Sequence, residues 1–286
     1  MSALQPAGVD CHAHVIDPLR FALVPGAGYQ PAAGECAPRE AYWGTLAAHG
    51  ITHGLLVQPS CYAYENRALV DAIAFAPGRA KGIAVVPVDV DDAALDALLA
   101  CGIVGVRLNL GAFDPDFLER PAAGGFLRRM RERGLFVQVY ASAAKWAHIA
   151  PLLAQSGARI IVDHMGEPDV AAGLAQPGFA AVLALGRSGR ACVKLSAPYR
   201  VSRAGAPFAD VVPYARACIA AFGAENCLWG SDFPFLNAAR PTSYAEQLAF
   251  LAAAVPGARD RAAILADNPR RLFGFAPTAT ESKGGR

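Results

Sequence analysis

Short apolar runs rich in β-branched residues recur along the chain. Between them the apolar positions spread to every third or fourth residue, so the period alternates between that of a strand and that of a helix. The strand-like runs are residues 9–15, 53–58, 81–86, 104–110, 135–140, 159–164, 191–196 and 227–232. Helical spacing covers 39–48, 65–75, 91–100, 125–133, 143–155, 179–185, 211–222, 244–254 and 261–265; the third of these opens on Asp91 and Asp92, as suits a helix N-terminus. A Pro/Gly-rich stretch, 17–38, is too broken for a long helix and reads as a loop, and residues 276–286 read as a disordered tail.

Almost every strand run is continuously apolar, which predicts parallel strands buried on both faces by helices. Eight such strands alternating with helices predict one closed (β/α)8 barrel, a TIM barrel, over residues 1–275. A doubly wound open sheet would normally carry a Gly-rich phosphate turn after its first strand, and Cys11-His12-Ala13-His14 stands there instead. There is no internal repeat and no interdomain linker.

Composition narrows the class of partner. The chain has 286 residues, 54% hydrophobic and 17% charged, enough to bury a large core. Its net charge is +2 and the basic residues are scattered, which leaves no footprint for nucleic acid or an anionic membrane and points to a small molecule. The seven cysteines are widely spaced with no Cys-x-x-Cys pair, the pattern of reduced thiols in a cytoplasmic protein. The first residues lack the form of a signal peptide, no apolar run approaches a membrane span, and no pattern sets an oligomeric state.

The chemistry gathers at the strand ends, where a barrel of this kind keeps its active site. On a strand at residues 9–15, His12 and His14 share one face while Cys11, Ala13 and Val15 take the other. Two imidazoles side by side can hold a metal, hydrogen-bond a carbonyl or exchange protons near neutral pH, and an isolated pair is equally compatible with ordinary buried histidines. The other strand ends decide: Gln58 and Ser60 on the second, Arg107 and Asn109 on the fourth, Tyr140 and Ser142 on the fifth, His164 on the sixth, Lys194 and Ser196 on the seventh, Asp232 on the eighth. Packing explains such polar ends poorly. A carboxylate among imidazoles at the mouth of an apolar barrel can take a proton from water while neighbouring donors steady charge on a carbonyl oxygen.

His12-Ala13-His14, the segment from Val162 through Asp163, His164, Met165, Gly166 and Glu167 to Pro168, Val193-Lys194-Leu195-Ser196 and Leu228-Trp229-Gly230-Ser231-Asp232-Phe233-Pro234 together resemble the amidohydrolase superfamily. Within it they are similar to the lactone hydrolases of the 2-pyrone-4,6-dicarboxylate hydrolase type, over nearly the whole chain. The resemblance implies that Asp232 activates water and that His12, His14 and His164 polarise the lactone carbonyl or steady the oxyanion. It further implies that Arg107 and Arg200, with Arg203 as a substitute for the latter, bind substrate carboxylates, a task for which a guanidinium fork is well shaped. Tyr140, Ser60 and Asn237 are the expected hydrogen-bonding partners of the substrate.

The residues that bridge two metals in binuclear members of the superfamily are absent, since Asn109 and Tyr140 stand in those regions. One Zn²⁺ held by His12, His14, His164 and Asp232 is the alternative to a reaction without cofactor, which the resemblance favours. Two departures bear on substrate: Gly111-Ala112-Phe113 lacks a basic residue expected after the fourth strand, and Tyr62 replaces an expected His. The expected function is hydrolysis of a carboxylate-bearing lactone, of pyrone-dicarboxylate, muconolactone or sugar-acid type and in aromatic or sugar-acid catabolism. A Zn²⁺-dependent decarboxylase of the same superfamily and a noncatalytic small-molecule binder are the alternatives.

Overall fold

A computed structural model describes residues 8–111 and 113–276; most of the tail expected to be disordered lies outside them. Eight parallel strands follow one another around a single sheet: β1 (Gly8–Ala13), β2 (Ile51–Val57), β3 (Ala80–Ala84), β4 (Ile103–Asn109), β5 (Phe136–Tyr140), β6 (Arg159–Val162), β7 (Ala191–Ser196) and β8 (Cys227–Gly230). The helices between and after them are α1 (Arg39–Ala48), α2 (Arg67–Ala74), α3 (Asp92–Ala100), α4 (Ala123–Glu132), α5 (Ala143–Ser156), α6 (Pro177–Arg187), the short α7 (Pro198–Val201), α8 (Val212–Phe222), α9 (Tyr244–Ala254), α10 (Ala258–Ala262) and α11 (Asn268–Phe273). This is the (β/α)8 barrel. The expected helix at 261–265 is instead the end of α10 running through a π-helical turn, Ala263–Asp267, into α11.

The barrel wall is buried on both sides. Outward residues such as Leu56, Val106, Val137, Val162 and Val193 pack with Trp146, Phe126, Phe179 and Phe250 of the helical shell. Inward residues Val9, Cys11, Leu55, Ile83, Phe136, Ile161, Cys192 and Leu228 form a separate apolar plug at the barrel floor, stoppered by Phe273 and Phe275. Burial of a Leu- or Phe-sized side chain contributes about 2–3 kcal/mol, so this floor is a strong base on which to mount polar groups above.

A shift in the β1–β2 register between Asp10 and Ala13 marks an irregularity in β1. Strict alternation would put Cys11 with Ala13; instead Cys11 joins Val9 in the plug while Ala13 packs outward. The extra residue lets Cys11 and His12 both belong to the barrel interior, the re-aiming a bulge provides. His12 and His14 still share a side.

Closure between β1 and β8 relies on few backbone bonds and one side chain. Asp232 N–H donates to the His12 carbonyl oxygen at 2.8 Å, and His14 N–H donates to that of Phe233 at 2.8 Å. The buried Asp10 carboxylate accepts from Ser231 N–H (2.9 Å), Ser231 hydroxyl (2.6 Å), His12 N–H (3.1 Å) and Tyr244 hydroxyl (3.2 Å). Gly230 is required here, because a Cβ would lie 2.6 Å from the Cβ and backbone N of His12.

Candidate active site

Three of the four expected catalytic residues, His14, His164 and Asp232, lie past the ends of their strands. The sixth run was expected to continue to His164 and the eighth to Asp232, but β6 stops at Val162 and β8 at Gly230. Asp163–Gly166 forms a 3₁₀ turn in which His164 (φ 49°) and Met165 (φ 56°) are left-handed, and Asp232 has φ 60°. Non-glycine residues there are strained by about 1 kcal/mol or more, and the turns swing both side chains across the barrel mouth.

The two turns and β1 bring four groups together. From the Oδ1 oxygen of Asp232, His12 Nε2 lies at 3.6 Å, His14 Nε2 at 3.6 Å and His164 Nε2 at 3.8 Å. The far side of each group is anchored. His14 Nδ1 donates to the Val57 carbonyl oxygen at 2.7 Å, His164 Nδ1 meets the Ser196 hydroxyl at 2.9 Å, and Asp232 Oδ2 accepts from Tyr199 hydroxyl (2.6 Å) and Arg200 Nε (2.8 Å). A carbonyl oxygen can only accept, so neutral His14 carries its proton on Nδ1 and turns a lone pair toward Asp232.

A second polar layer lies directly beneath. Asp163 Oδ2 accepts from Gln138 Nε2 (2.9 Å) and Arg107 Nε (3.3 Å), and Lys194 Nζ donates to Gln138 Oε1 at 2.6 Å. Lys194 Nζ also lies 3.1 Å from His12 Nδ1. Asp163 Oδ1 is 3.2 Å from the same nitrogen, so His12 Nδ1 lies between an ammonium that can donate to it and a carboxylate that can accept from it.

Burial and charge set the protonation states. Burial would raise Asp232, but the Arg200 guanidinium holds it well below the usual carboxylate range. Asp163 is likewise held low against burial, first by His12 and then by the Lys194 ammonium and the Arg107 guanidinium. Burial pushes His12 and His14 down and brings His164 to about 4, so all three imidazoles are neutral at pH 7.

His12 Nε2, His164 Nε2 and Asp232 Oδ1 are buried with no hydrogen-bond partner, an arrangement that is costly unless something joins them. The ligand atoms of His12, His14 and Asp232 all lie within 4.8 Å of one another, as do those of His12, Asp163 and His164. Two imidazole lone pairs and a carboxylate at such spacing fit one divalent cation, and they equally fit a water molecule and a carbonyl oxygen.

The family model described as Amidohydrolase matches residues 9–275, which is the barrel from its first strand to its last helix. The chain belongs to the amidohydrolase family. It is 32% identical over 281 residues to a 2-pyrone-4,6-dicarboxylate hydrolase of Comamonas testosteroni, covering 94% of this chain and 90% of that one. It is 29% identical over 281 residues to a 4-sulfomuconolactone hydrolase of Rhizobium radiobacter, covering 95% and 91%. A crystal structure described as a probable 2-pyrone-4,6-dicarboxylic acid hydrolase from Acinetobacter baumannii, with citric acid bound, superposes with a TM-score of 0.84 at 30% identity, covering 94% of this chain and 99% of that one.

In this amidohydrolase the cluster meets, through His14, a cavity of about 90 Å³ whose wall also includes Ser60, Arg107, Asn109, Tyr140, Arg200 and Asn237. All five expected substrate contacts are therefore on one wall. Arg107 is 6% exposed, and its terminal nitrogens have no protein partner among the described residues, although its Nε is tied to Asp163. Asn109 donates to the Ser60 hydroxyl at 2.7 Å. Tyr29 and Leu236 complete the wall, and Glu35 bonds both the Tyr29 hydroxyl and the Asn237 N–H, tying the 17–38 loop to the loop after β8. The cavity is below the roughly 300 Å³ of ordinary ligand pockets, consistent with loops drawn in over it. A larger groove of about 860 Å³ between α2 and α3 contains none of the converging groups and is not the site.

Several expected partners fall elsewhere. The Gln58 amide donates to the Ala63 and Glu65 carbonyl oxygens and pins a turn, and the Tyr62 hydroxyl accepts from Asp17 N–H inside a small apolar cluster. Arg203 lines a different cavity with Arg240, so it does not substitute for Arg200. Asp163, Gln138, Glu167, Tyr199 and Tyr29 were not singled out from the sequence. Gln138 and Lys194 precede Tyr140 and Ser196 by two, so the strand period places them one layer below the mouth.

Proposed function

We propose that this amidohydrolase opens the ring of a small lactone that carries a carboxylate, with Asp232 as the general base. One observation bears most of the weight: Asp232 Oδ2 is fixed by Tyr199 and Arg200, while Oδ1 is buried, unpartnered and faced by three imidazole nitrogens. Water seated there donates one proton toward Asp232 and the other toward the His14 Nε2 lone pair. His12, whose Nδ1 faces the Lys194 ammonium, keeps its proton on Nε2 and donates it to the carbonyl oxygen as charge develops, with His164 beside it. The water oxygen bonds to the carbonyl carbon as Asp232 takes the proton, the ring C–O bond breaks, and Asp232 returns the proton to the leaving ring oxygen.

Substrate recognition follows from the wall. Arg107 offers a buried fork of donors to a carboxylate, and Arg200, Tyr140, Ser60 and Asn237 complete the contacts. The relatives named as hydrolases of 2-pyrone-4,6-dicarboxylate and 4-sulfomuconolactone, both anionic lactones, support this reading.

The proposed reaction needs no metal. Lys194 and Arg107 already set fixed positive charge around His12 and Asp163, and the β4 and β5 positions that would bridge two ions carry Asn109 and Tyr140. If one Zn²⁺ binds, His12, His14 and Asp232 would hold it with His164 alongside, and it would supply Lewis-acid polarisation of a carbonyl. A panel of carboxylate-bearing lactones, assayed with and without chelator on wild type and Asp232→Asn, tests both parts. Asp232→Asn should lower kcat by about 10²- to 10⁴-fold, with chelator having no effect on the wild type. No turnover of any lactone, together with metal-dependent release of CO₂ from an aromatic carboxylate, would establish the decarboxylase reading instead.

A further inference from the structure

Glu167 is a carboxylate on the same turn as His164, held left-handed at φ 47° with its N–H donating to the His164 carbonyl oxygen at 2.9 Å. Its side chain, 18% exposed, lies beside Tyr140 and 3.9 Å from Arg200 Nη1, and Tyr140 and Arg200 both line the cavity. A negative group therefore stands at the edge of a site that ought to receive an anion, and this changes which cations are available. Arg200 gives Nε to Asp232 and its Nη1 lies 3.9 Å from Glu167, so its charge already faces two of the protein's own carboxylates. Arg107 faces one, Asp163, through its Nε, and its terminal nitrogens hydrogen-bond no described residue. The fixed charges balance as well, with Arg107, Lys194 and Arg200 set against Asp163, Asp232 and Glu167 around neutral imidazoles.

We propose that Glu167 sets the substrate class: the lactone of this enzyme carries one carboxylate, bound by Arg107, and a hydroxyl or similar hydrogen-bond donor on the side of Glu167, where a second carboxylate would be repelled. This rests on the lactone hydrolase reading above. A first carboxylate is matched by the Arg107 fork, whereas a second would enter beside Glu167, where the Arg200 charge is already shared between Glu167 and Asp232. A hydroxyl finds an acceptor in the same place, because a carboxylate has more lone-pair sites than Tyr140 and Arg200 occupy.

The test separates binding from turnover by using aromatic acids that cannot be hydrolysed. Titration calorimetry with 3-hydroxybenzoate, a monoanion with a hydroxyl, and isophthalate, its dicarboxylate counterpart, is run on wild type, Glu167→Gln and Glu167→Arg. Wild type is expected to bind 3-hydroxybenzoate more tightly; the ratio of affinities should shrink in Glu167→Gln and swing toward isophthalate by about a hundredfold in Glu167→Arg. If Glu167→Arg fails to fold, as read by circular dichroism, the isosteric Glu167→Gln decides alone. The proposal is overturned if wild type binds isophthalate at least as well, if it binds neither acid, or if the ratio is the same in the variants that fold. The matching kinetic experiment compares kcat/KM for 2-pyrone-6-carboxylate and 2-pyrone-4,6-dicarboxylate. Absence of turnover with both, alongside the expected calorimetric ratios, would count against the lactone reading and leave the charge selectivity standing.

Discussion

Lys194 shows how tightly single residues are committed beneath the imidazole cluster. It is fully buried, donates to Gln138, faces His12 and neighbours Asp163 at 3.5 Å, and burial lowers its affinity for a proton while Asp163 opposes the fall. Replacing it with Met leaves Asp163 buried beside fewer cations, which should cost about 3–5 kcal/mol of stability in a denaturant titration. Adding Asp163→Asn to Lys194→Met should recover a substantial part of that loss, since no unpaired charge is then left behind. The two histidines of β1 were legible from spacing alone, because a period of two requires them to share a side. Their partners below were not: Lys194 was expected at a strand end, and nothing in a local pattern says that Asp163, five strands later in the sequence, packs against His12.

At the scale of elements, the boundaries of α1, β7 and α9 are where the sequence pattern puts them, since each is one unbroken run of its own period. The failures share a cause. The ends of β6 and β8 and the irregularity in β1 bend the chain where tertiary contacts favour it, and nothing in the strand period marks where the bend falls. These are also the places that aim His164, Asp232 and His12, which is where local rules give way to function. The loop contact through Glu35 belongs to this scale. Removing it in Glu35→Ala frees Tyr29 and Asn237 from each other, and steady-state kinetics should show a several-fold rise in KM with kcat changed much less, because the imidazole cluster is untouched.

For the whole molecule, two buried groups give acid stability opposite slopes. His164 titrates at 6.5 when unfolded and about 4 when folded, so between those values the unfolded chain holds more protons and stability rises with pH. Asp10 behaves in reverse: burial lifts it from 3.8 to about 6, so across that window the folded protein holds the extra proton and stability falls as pH rises. Each is worth about 3 kcal/mol at most. His12 and His14, also depressed by burial, add to the slope of His164, so the imidazoles outweigh Asp10 and unfolding free energy should rise with pH from about 4 to 6.5. Below pH 4 it should drop further, since the folded protein holds Asp163 and Asp232 ionised while the unfolded chain protonates them. Asp10→Asn removes the opposing slope and should steepen the climb in chemical denaturation. No helix among the described residues is long and apolar enough to cross a membrane, and none of the seven cysteines is paired. Barrel class and strand count were readable because they depend on repetition; the closure was not, because Asp10 and Ser231 are 221 residues apart.

That separation has a consequence for pieces of the barrel. The same joint that seals the barrel, with Asp232 N–H on the His12 carbonyl oxygen, also sets the carboxylate and the imidazoles face to face. A fragment that ends before residue 232 lacks that carboxylate, and one that begins after residue 14 lacks two of the three imidazoles. A single proteolytic cut between those positions leaves each piece with only part of the cluster, so the pieces must stay associated to keep it.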